Sequence, residues 1–89
     1  MLDSKVVALL NDQINKELFS AYLYLDMSNF YEDAGLSGFA NWYKVQAQEE
    51  RDHAMLFLQY LLNNGEKVTL GEIAAPDKPF KEFILCHIS

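Results

Sequence analysis

The sequence predicts an all-α fold, an antiparallel hairpin of two long helices, on the strength of three observations. Residues 4–31 and residues 39–64 contain neither Gly nor Pro and are rich in good helix formers. The segment Asp33-Ala34-Gly35 between them is a short helix breaker. Gly65 supplies a C-terminal stop for the second stretch. Because the connection is short, the helices are expected to be antiparallel neighbours, each about 40 Å long.

The first helix is expected at about 4–31, with Ser4 as its N-cap, and the second at about 37–64, starting from Ser37. Together they form a predicted helical hairpin domain at 1–64. Residues 65–89 contain Gly71, Pro76 and Pro79, which predict an extended, crossover-like tail that leaves the end of the hairpin.

The chain has 89 residues, which bounds it to one small domain, and its formal net charge is −6 at pH 7. That charge repels phosphate backbones and anionic membrane surfaces, so we expect no nucleic acid and no membrane as partners, whereas cations are plausible ligands. No stretch approaches the roughly 20 apolar residues of a membrane span, and Met1 to Lys5 do not start a secretion signal. A cytoplasmic location is expected.

The single cysteine, Cys86, lies beside His87 near the end of the sequence and cannot form an internal disulfide. This pair could bind a metal ion, but ordinary unpaired residues of a tail are the favoured interpretation.

Two stripes at helical spacing carry ionisable residues among core-like positions. On the first helix the stripe comprises Leu10, Ile14, Glu17, Ala21 and Tyr24. On the second helix it comprises Phe39, Tyr43, Gln46, Glu50, His53, Phe57 and Tyr60. Both stripes are therefore polar in the middle and apolar towards their ends.

Counting outward from a turn centred between Ala34 and Gly35 places Glu17 level with the gap between Glu50 and His53. Burying such groups unpaired is costly, and a bound cation would remove that cost. Glu50 and His53 form a Glu-x-x-His pair, whose spacing projects an oxygen and a nitrogen ligand from one helix face. The alternative, a solvated Glu and His on an ordinary helix surface, stays open on spacing alone.

Two motifs extend this pattern to a known family. Gln13-Ile14-Asn15-Lys16-Glu17-Leu18 is followed by Tyr24, and Ala47-Gln48-Glu49-Glu50-Arg51-Asp52-His53-Ala54 lies on the second helix. With Gly65-Glu66-Lys67-Val68 after that helix, the chain resembles the N-terminal half of bacterial non-haem ferritins up to about Phe80.

The resemblance implies an iron site and a role for each of its residues. Glu17 and His53 would bind one iron, Glu50 would bridge two irons, Tyr24 would support the site, and Glu49 would be a ligand for a further iron. The implied activity is ferroxidase, the oxidation of Fe(II) by oxygen or peroxide, with storage of the ferric mineral in a cage. Oxygen-rich ligands suit iron, although zinc remains an alternative. Haem is not expected, because haem-binding relatives carry Met where this chain has Arg51.

Members of that family continue through a crossover into two more helices that bring the remaining ligands, whereas here the resemblance fades after Phe80. One chain is then half of a ferritin-like four-helix bundle, to be completed by another chain. The apolar residues expected to contact that second chain are Leu18, Leu25, Trp42, Leu56 and Leu61. Self-association as a dimer or larger is therefore expected.

Three functional hypotheses follow from this half bundle. In the first, two hairpins meet about a two-fold axis and pool two Glu and two Glu-x-x-His sets into one di-iron site, as encapsulated ferritins do. In the second, the chain is a truncated or frame-shifted subunit that only packs helices, with itself or with longer ferritin subunits. In the third, it is a generic helical dimer. The aromatic residues Phe39, Tyr43, Phe57 and Tyr60 are expected to be core in all three.

Overall fold

In the computed structural model, which describes residues 2–76, two helices pack side by side as an antiparallel hairpin. Helix α1 spans Ser4–Asp33 and helix α2 spans Ser37–Asn63. The predicted all-α hairpin is confirmed, and within residues 2–76 there is no strand. Helix α1 runs two residues beyond its expected end at residue 31, and α2 ends one residue before 64.

The N-terminal cap of α1 was predicted at the wrong residue. Asp3, not Ser4, is the N-cap, and its side chain accepts a hydrogen bond from the Lys5 backbone N–H at 2.7 Å. Ser4 is already helical. Both residue types are strong N-caps, and sequence spacing alone does not distinguish adjacent candidates.

Both helices end in the same left-handed glycine cap. Gly35 and Gly65 have φ angles of 76° and 70°, a region that L side chains rarely adopt. The Leu36 N–H donates to the Tyr31 carbonyl at 2.9 Å, and the Glu66 N–H donates to the Leu61 carbonyl at 2.9 Å. These are the six-to-one bonds of a Schellman motif, which satisfies carbonyls that a helix end leaves unpaired.

The core of the hairpin is formed by two small clusters of buried residues. Near the open end the buried members are Ile14, Ala54 and Leu61. Near the turn they are Met27, Tyr31 and Ala40. Ser28 is also buried beside the turn, and its hydroxyl donates to the Ala40 carbonyl at 2.7 Å, so this polar group is satisfied.

The single chain leaves some of the residues that were expected in the core exposed. It also buries some of the residues that were expected to contact a second chain. Phe39 and Tyr60 were expected in the core, yet they are 54% and 49% exposed. Leu61 was expected to contact another chain but is fully buried within the hairpin, and Leu18 packs against the same cluster. The reason is geometric, since a pair of helices can bury only the stripe that each turns towards the other. Leu25, Trp42 and Leu56 are exposed.

The segment after α2 folds back along α1, whereas the sequence predicted that it leaves the hairpin. The Asn11 amide donates to the Lys67 carbonyl at 3.2 Å, and its oxygen accepts from the Thr69 N–H at 2.8 Å. The Asn15 oxygen accepts from the Gly71 N–H at 3.1 Å. Two asparagine side chains, one turn apart on α1, therefore provide hydrogen-bond partners for the backbone of residues 67–71. Cys86 and His87 lie outside the described residues.

Replacing Gly71 by Ala tests this attachment, because a Cβ at Gly71 would collide with the Asn15 amide nitrogen. We expect Gly71→Ala to displace the Asn15 side chain and break its bond to residue 71, at a cost of about 1 kcal/mol. Hydrogen exchange at residues 69–71 should accelerate. Gly38→Ala is the matched control, since nothing lies within 4 Å of its Cβ position. Unchanged exchange in Gly71→Ala would contradict the attachment.

Candidate metal centre

Three ionisable side chains meet between the two helices near mid-length. Glu17 comes from α1, and Glu50 and His53 come from one face of α2, one turn apart. Their antiparallel register follows from the Schellman-capped turn, which brings residue 17 to the level of residues 50–53. Glu17 lies one turn after the buried Ile14, and His53 immediately precedes the buried Ala54. The core cluster at the open end therefore fixes the backbone beneath the site.

The donor atoms of these residues converge on one point. The His53 Nδ1 lies 3.8 Å from the Glu17 Oε2 and 3.8 Å from the Glu50 Oε2. Taking one potential ligand atom from each residue, all three lie within 4.8 Å of one another. The level predicted for Glu17, in the gap between Glu50 and His53, agrees with these distances.

The closeness of the two carboxyl groups shifts their pKa values in opposite directions. The pKa of Glu50 is raised above its usual 4.5, first by its hydrogen bond with Glu17 and then by burial. The pKa of Glu17 is lowered, chiefly because the Glu50 carboxyl donates a hydrogen bond to it, while burial opposes the shift. Two carboxylates this close repel each other when both are ionised, so retaining one proton is favourable.

The site is open on one side. The side chains of Glu17 and Glu50 are only 16% and 22% exposed, whereas His53 is 54% exposed. The exposed Phe39 and Tyr60 lie on the same predicted stripe of α2 as Glu50 and His53. The three donor groups and a band of exposed aromatic surface therefore occupy one face of the hairpin.

Two further predicted site residues are not members of this donor group. Tyr24 is half-buried, and the centroid of its ring lies 5.9 Å from that of Tyr43. Glu49 is exposed on α2 and is absent from the donor cluster found within residues 2–76. Their proposed roles, a supporting tyrosine and a further ligand, stay predictions.

One contact was missed by the sequence reasoning. The Gln13 side-chain amide donates to the Glu17 Oε1 at 2.8 Å and also lowers the pKa of Glu17. It leaves Oε2 directed towards His53. The signal was available, because Gln at position i and Glu at i+4 are neighbours on a helix surface.

The donor set suits a divalent cation. Two carboxylates and one imidazole offer hard oxygen ligands and one nitrogen, which fit iron and also fit zinc. A divalent cation would balance the charge of both carboxylates once they are ionised. Three protein donors also leave coordination positions on the open side for further ligands. The fold and the site together define a helical hairpin with a candidate carboxylate-histidine metal site.

Comparisons with known proteins place this hairpin in a family. The ferritin-like domain family matches residues 7–86, six residues beyond the expected limit at Phe80. Bacterial non-heme ferritins from Staphylococcus haemolyticus and Campylobacter jejuni are 39% and 40% identical over 84 residues, or 94% of this chain. An open-pore ferritin from the archaeon Archaeoglobus fulgidus superposes with a TM-score of 0.84 at 43% identity. The superposition covers 86% of this chain and 48% of the archaeal chain.

The chain belongs to the ferritin-like family. It spans about half the length of the curated relatives it matches, 51% and 50% for the two bacterial proteins. Within residues 2–76, neither helix is long and apolar enough to cross a membrane.

Proposed function

We propose that this chain binds Fe(II) as substrate, supports its oxidation and takes part in iron storage. Glu17, Glu50 and His53 hold the metal, and a second chain completes a di-iron site. The observation that carries the proposal is the convergence of one ligand atom from each of the three residues to within 4.8 Å. The names of the bacterial relatives, non-heme ferritins, support iron as the metal.

The electrostatics of the three residues favour this use. With both carboxyl groups ionised and a neutral imidazole as the third ligand, the set has a net charge of about −2, which a divalent cation balances. Gln13 holds one oxygen of Glu17 at 2.8 Å and leaves the other free to bind. The protein's contribution to the chemistry is thus to hold and space the ligands. Iron itself supplies the electrons for the oxidant.

A second copy of the chain is proposed to complete the site because each hairpin supplies half of a self-complementary set. Two hairpins related by a two-fold axis bring two Glu17 and two Glu-x-x-His pairs together, the ligand set of a di-iron bundle. The face that carries the ligands also exposes Phe39 and Tyr60. When a second hairpin covers this face, the apolar surface removed from water stabilises the pair by about 25 cal/mol per Å². The same contact supplies the second set of ligands.

The alternative function is a packing module without chemistry, in which the chain joins copies of itself or longer ferritin subunits. The exposed apolar side chains Leu25, Trp42 and Leu56 favour helix packing whether or not iron binds. The cytoplasmic location expected from the sequence stays a prediction. Ferroxidase activity is proposed only for the completed site.

Anaerobic Fe(II) titration with a simultaneous measurement of oligomer mass tests the proposal. We expect about two Fe(II) per pair of chains, and a rise in ferric absorbance when oxygen is admitted. Glu50→Ala should lose this binding because it removes the bridging carboxylate. Glu32→Ala is the matched control, since it removes the same charge from an exposed position near the turn.

The outcomes separate the two functions. Stoichiometric binding that is lost in Glu50→Ala and kept in Glu32→Ala supports the iron site. A stable oligomer that binds no Fe(II) contradicts the site and supports the packing module. Binding that survives in Glu50→Ala contradicts the assigned ligands.

A further inference from the structure

The Glu17 carboxylate is held by a side chain that lies outside the donor group. The Gln13 Nε2 donates a hydrogen bond to the Glu17 Oε1 at 2.8 Å. The other carboxylate oxygen, Oε2, lies 3.8 Å from the His53 Nδ1. The two oxygens of Glu17 therefore have different neighbours. Oε1 is bound to the preceding turn of α1, and Oε2 faces the donors that α2 contributes.

The direction of the Gln13 amide follows from the chemistry of its partner. The pKa of Glu17 is lowered, first by its hydrogen bond with Glu50 and also by the bond from Gln13, although burial opposes the shift. Glu17 is thus an ionised carboxylate at neutral pH, and a carboxylate only accepts hydrogen bonds, so the NH₂ end of the amide must face it. Because Gln13 is neutral, it orients this ligand without cancelling the negative charge that a cation needs.

A second glutamine makes the same type of bond and shows what is particular to Gln13. The Gln48 Nε2 donates to the Asp52 Oδ1, four positions later on α2, at 2.9 Å, and both residues are exposed. Such pairs stabilise a helix surface, which is a sufficient account of the bond on α2. The bond between Gln13 and Glu17 is partly buried, and its acceptor is one of the three converging ligands. Gln13 therefore acts on the metal centre as well as on the helix.

We propose that Gln13 is a positioning residue of the metal centre, and that its amide makes Glu17 a ligand through Oε2 alone. This inference rests on the proposed function, which supplies the metal ion. An unrestrained glutamate turns about its own bonds and can bind a cation with one oxygen or with both. With Oε1 engaged by Gln13, the side chain is ordered before the metal arrives, so less conformational entropy is lost on binding. Binding through one oxygen also leaves coordination positions for the other ligands.

Titration of the full chain with Co(II) tests this role, with Gln13→Met as the variant. Methionine has a side chain of similar length but no amide to donate, and the substitution leaves the net charge unchanged. We expect the affinity for Co(II) to fall by about 10- to 100-fold, the usual cost of removing a group that orients a metal ligand. Gln48→Met is the matched control, because it deletes the same type of bond from an exposed pair and should keep the affinity of the unsubstituted chain.

Infrared difference spectra between the chain saturated with Co(II) and the metal-free chain give a readout that a purely structural role would not move. The symmetric and antisymmetric stretches of a carboxylate are widely separated when one oxygen binds a metal and closer together when both bind. We expect Gln13→Met to gain a component with the smaller separation, because Oε1 is then free to bind. Circular dichroism checks that both variants keep their helix content.

The outcomes decide the role of Gln13 separately from the proposed function. Co(II) affinity in Gln13→Met that equals that of Gln48→Met overturns the positioning role, and so do carboxylate stretches that are unchanged in Gln13→Met. A chain that binds neither Co(II) nor Fe(II) without any substitution contradicts the proposed function itself, and this inference with it. The two failures are therefore distinguishable.

Discussion

Leu61→Ala is expected to lower the free energy of unfolding by about 2–5 kcal/mol, because it empties a fully buried site in the open-end cluster. Leu61 packs there with Ile14 and Ala54, directly below the level of the ligands. A small domain has only about 5 kcal/mol to lose, so this one substitution should remove a large part of the stability of the hairpin. Urea unfolding followed by circular dichroism measures this change.

The neighbouring Leu62→Ala is the matched control for this substitution. It deletes the same atoms one position along α2, from a side chain that is 50% exposed. We expect it to cost less than about 1 kcal/mol. Equal losses in the two variants would contradict the assignment of Leu61 to the core of the hairpin.

The fold was predictable because its signals are local. Long stretches without Gly or Pro predicted both helices, and the left-handed caps at Gly35 and Gly65 are conformations for which glycine is the favoured residue. The cap at Asp3 was missed because Asp and Ser compete for one role at adjacent positions. Only the backbone dihedrals decide between them.

The candidate site was predictable for the same reason that the hairpin was. A rigid antiparallel pair with a short turn has one register, so counting from residues 34 and 35 was enough to bring Glu17 to Glu50 and His53. The return of residues 67–71 along α1 could not be counted in this way. It depends on hydrogen bonds between the side chains of Asn11 and Asn15 and backbone groups more than 50 residues later in the sequence. Residue spacing gives no signal for such contacts.

Which residues of a predicted stripe are exposed could also be learned only from the structure. Periodicity identifies which residues share a face, but it does not say whether that face meets the partner helix or a second chain. Leu61 and Tyr60 are adjacent in sequence, yet in the single chain Leu61 is fully buried, contrary to the prediction for it, and Tyr60 is 49% exposed. The register of the helix pair, rather than hydrophobicity, separates them.

Cation binding is expected to weaken as the pH falls below the raised pKa of Glu50, because the cation must then displace the Glu50 proton. For one displaced proton, the affinity should fall by about tenfold per pH unit. The pKa of Glu50 is raised chiefly by its hydrogen bond with Glu17, so this proton is held above the usual range of a carboxyl group. Fe(II) titrations at a series of pH values measure the slope. Calorimetry in buffers of different ionisation enthalpy counts the protons released.

The metal-free chain should show the opposite dependence as the pH rises through the pKa of Glu50. A group whose pKa is raised in the folded state stabilises at low pH, and its contribution is lost as the pH rises through that pKa. Glu17, whose pKa is lowered, contributes above its unfolded pKa and loses that contribution as the pH falls through its folded one. The pair therefore stabilises most between the two folded pKa values, where it holds one proton.

Thermal unfolding with and without the cation separates these two effects. As the pH rises from the ordinary range of a carboxyl group through the raised pKa of Glu50, the metal-free midpoint should fall while the stabilisation by the cation grows, and both should level off above that pKa. Glu50→Gln should remove both trends, because the amide has no proton to lose in this range and cannot bind as an anion. The same trends in Glu50→Gln as in the unsubstituted chain would show that the Glu50 proton is not the one that the cation displaces.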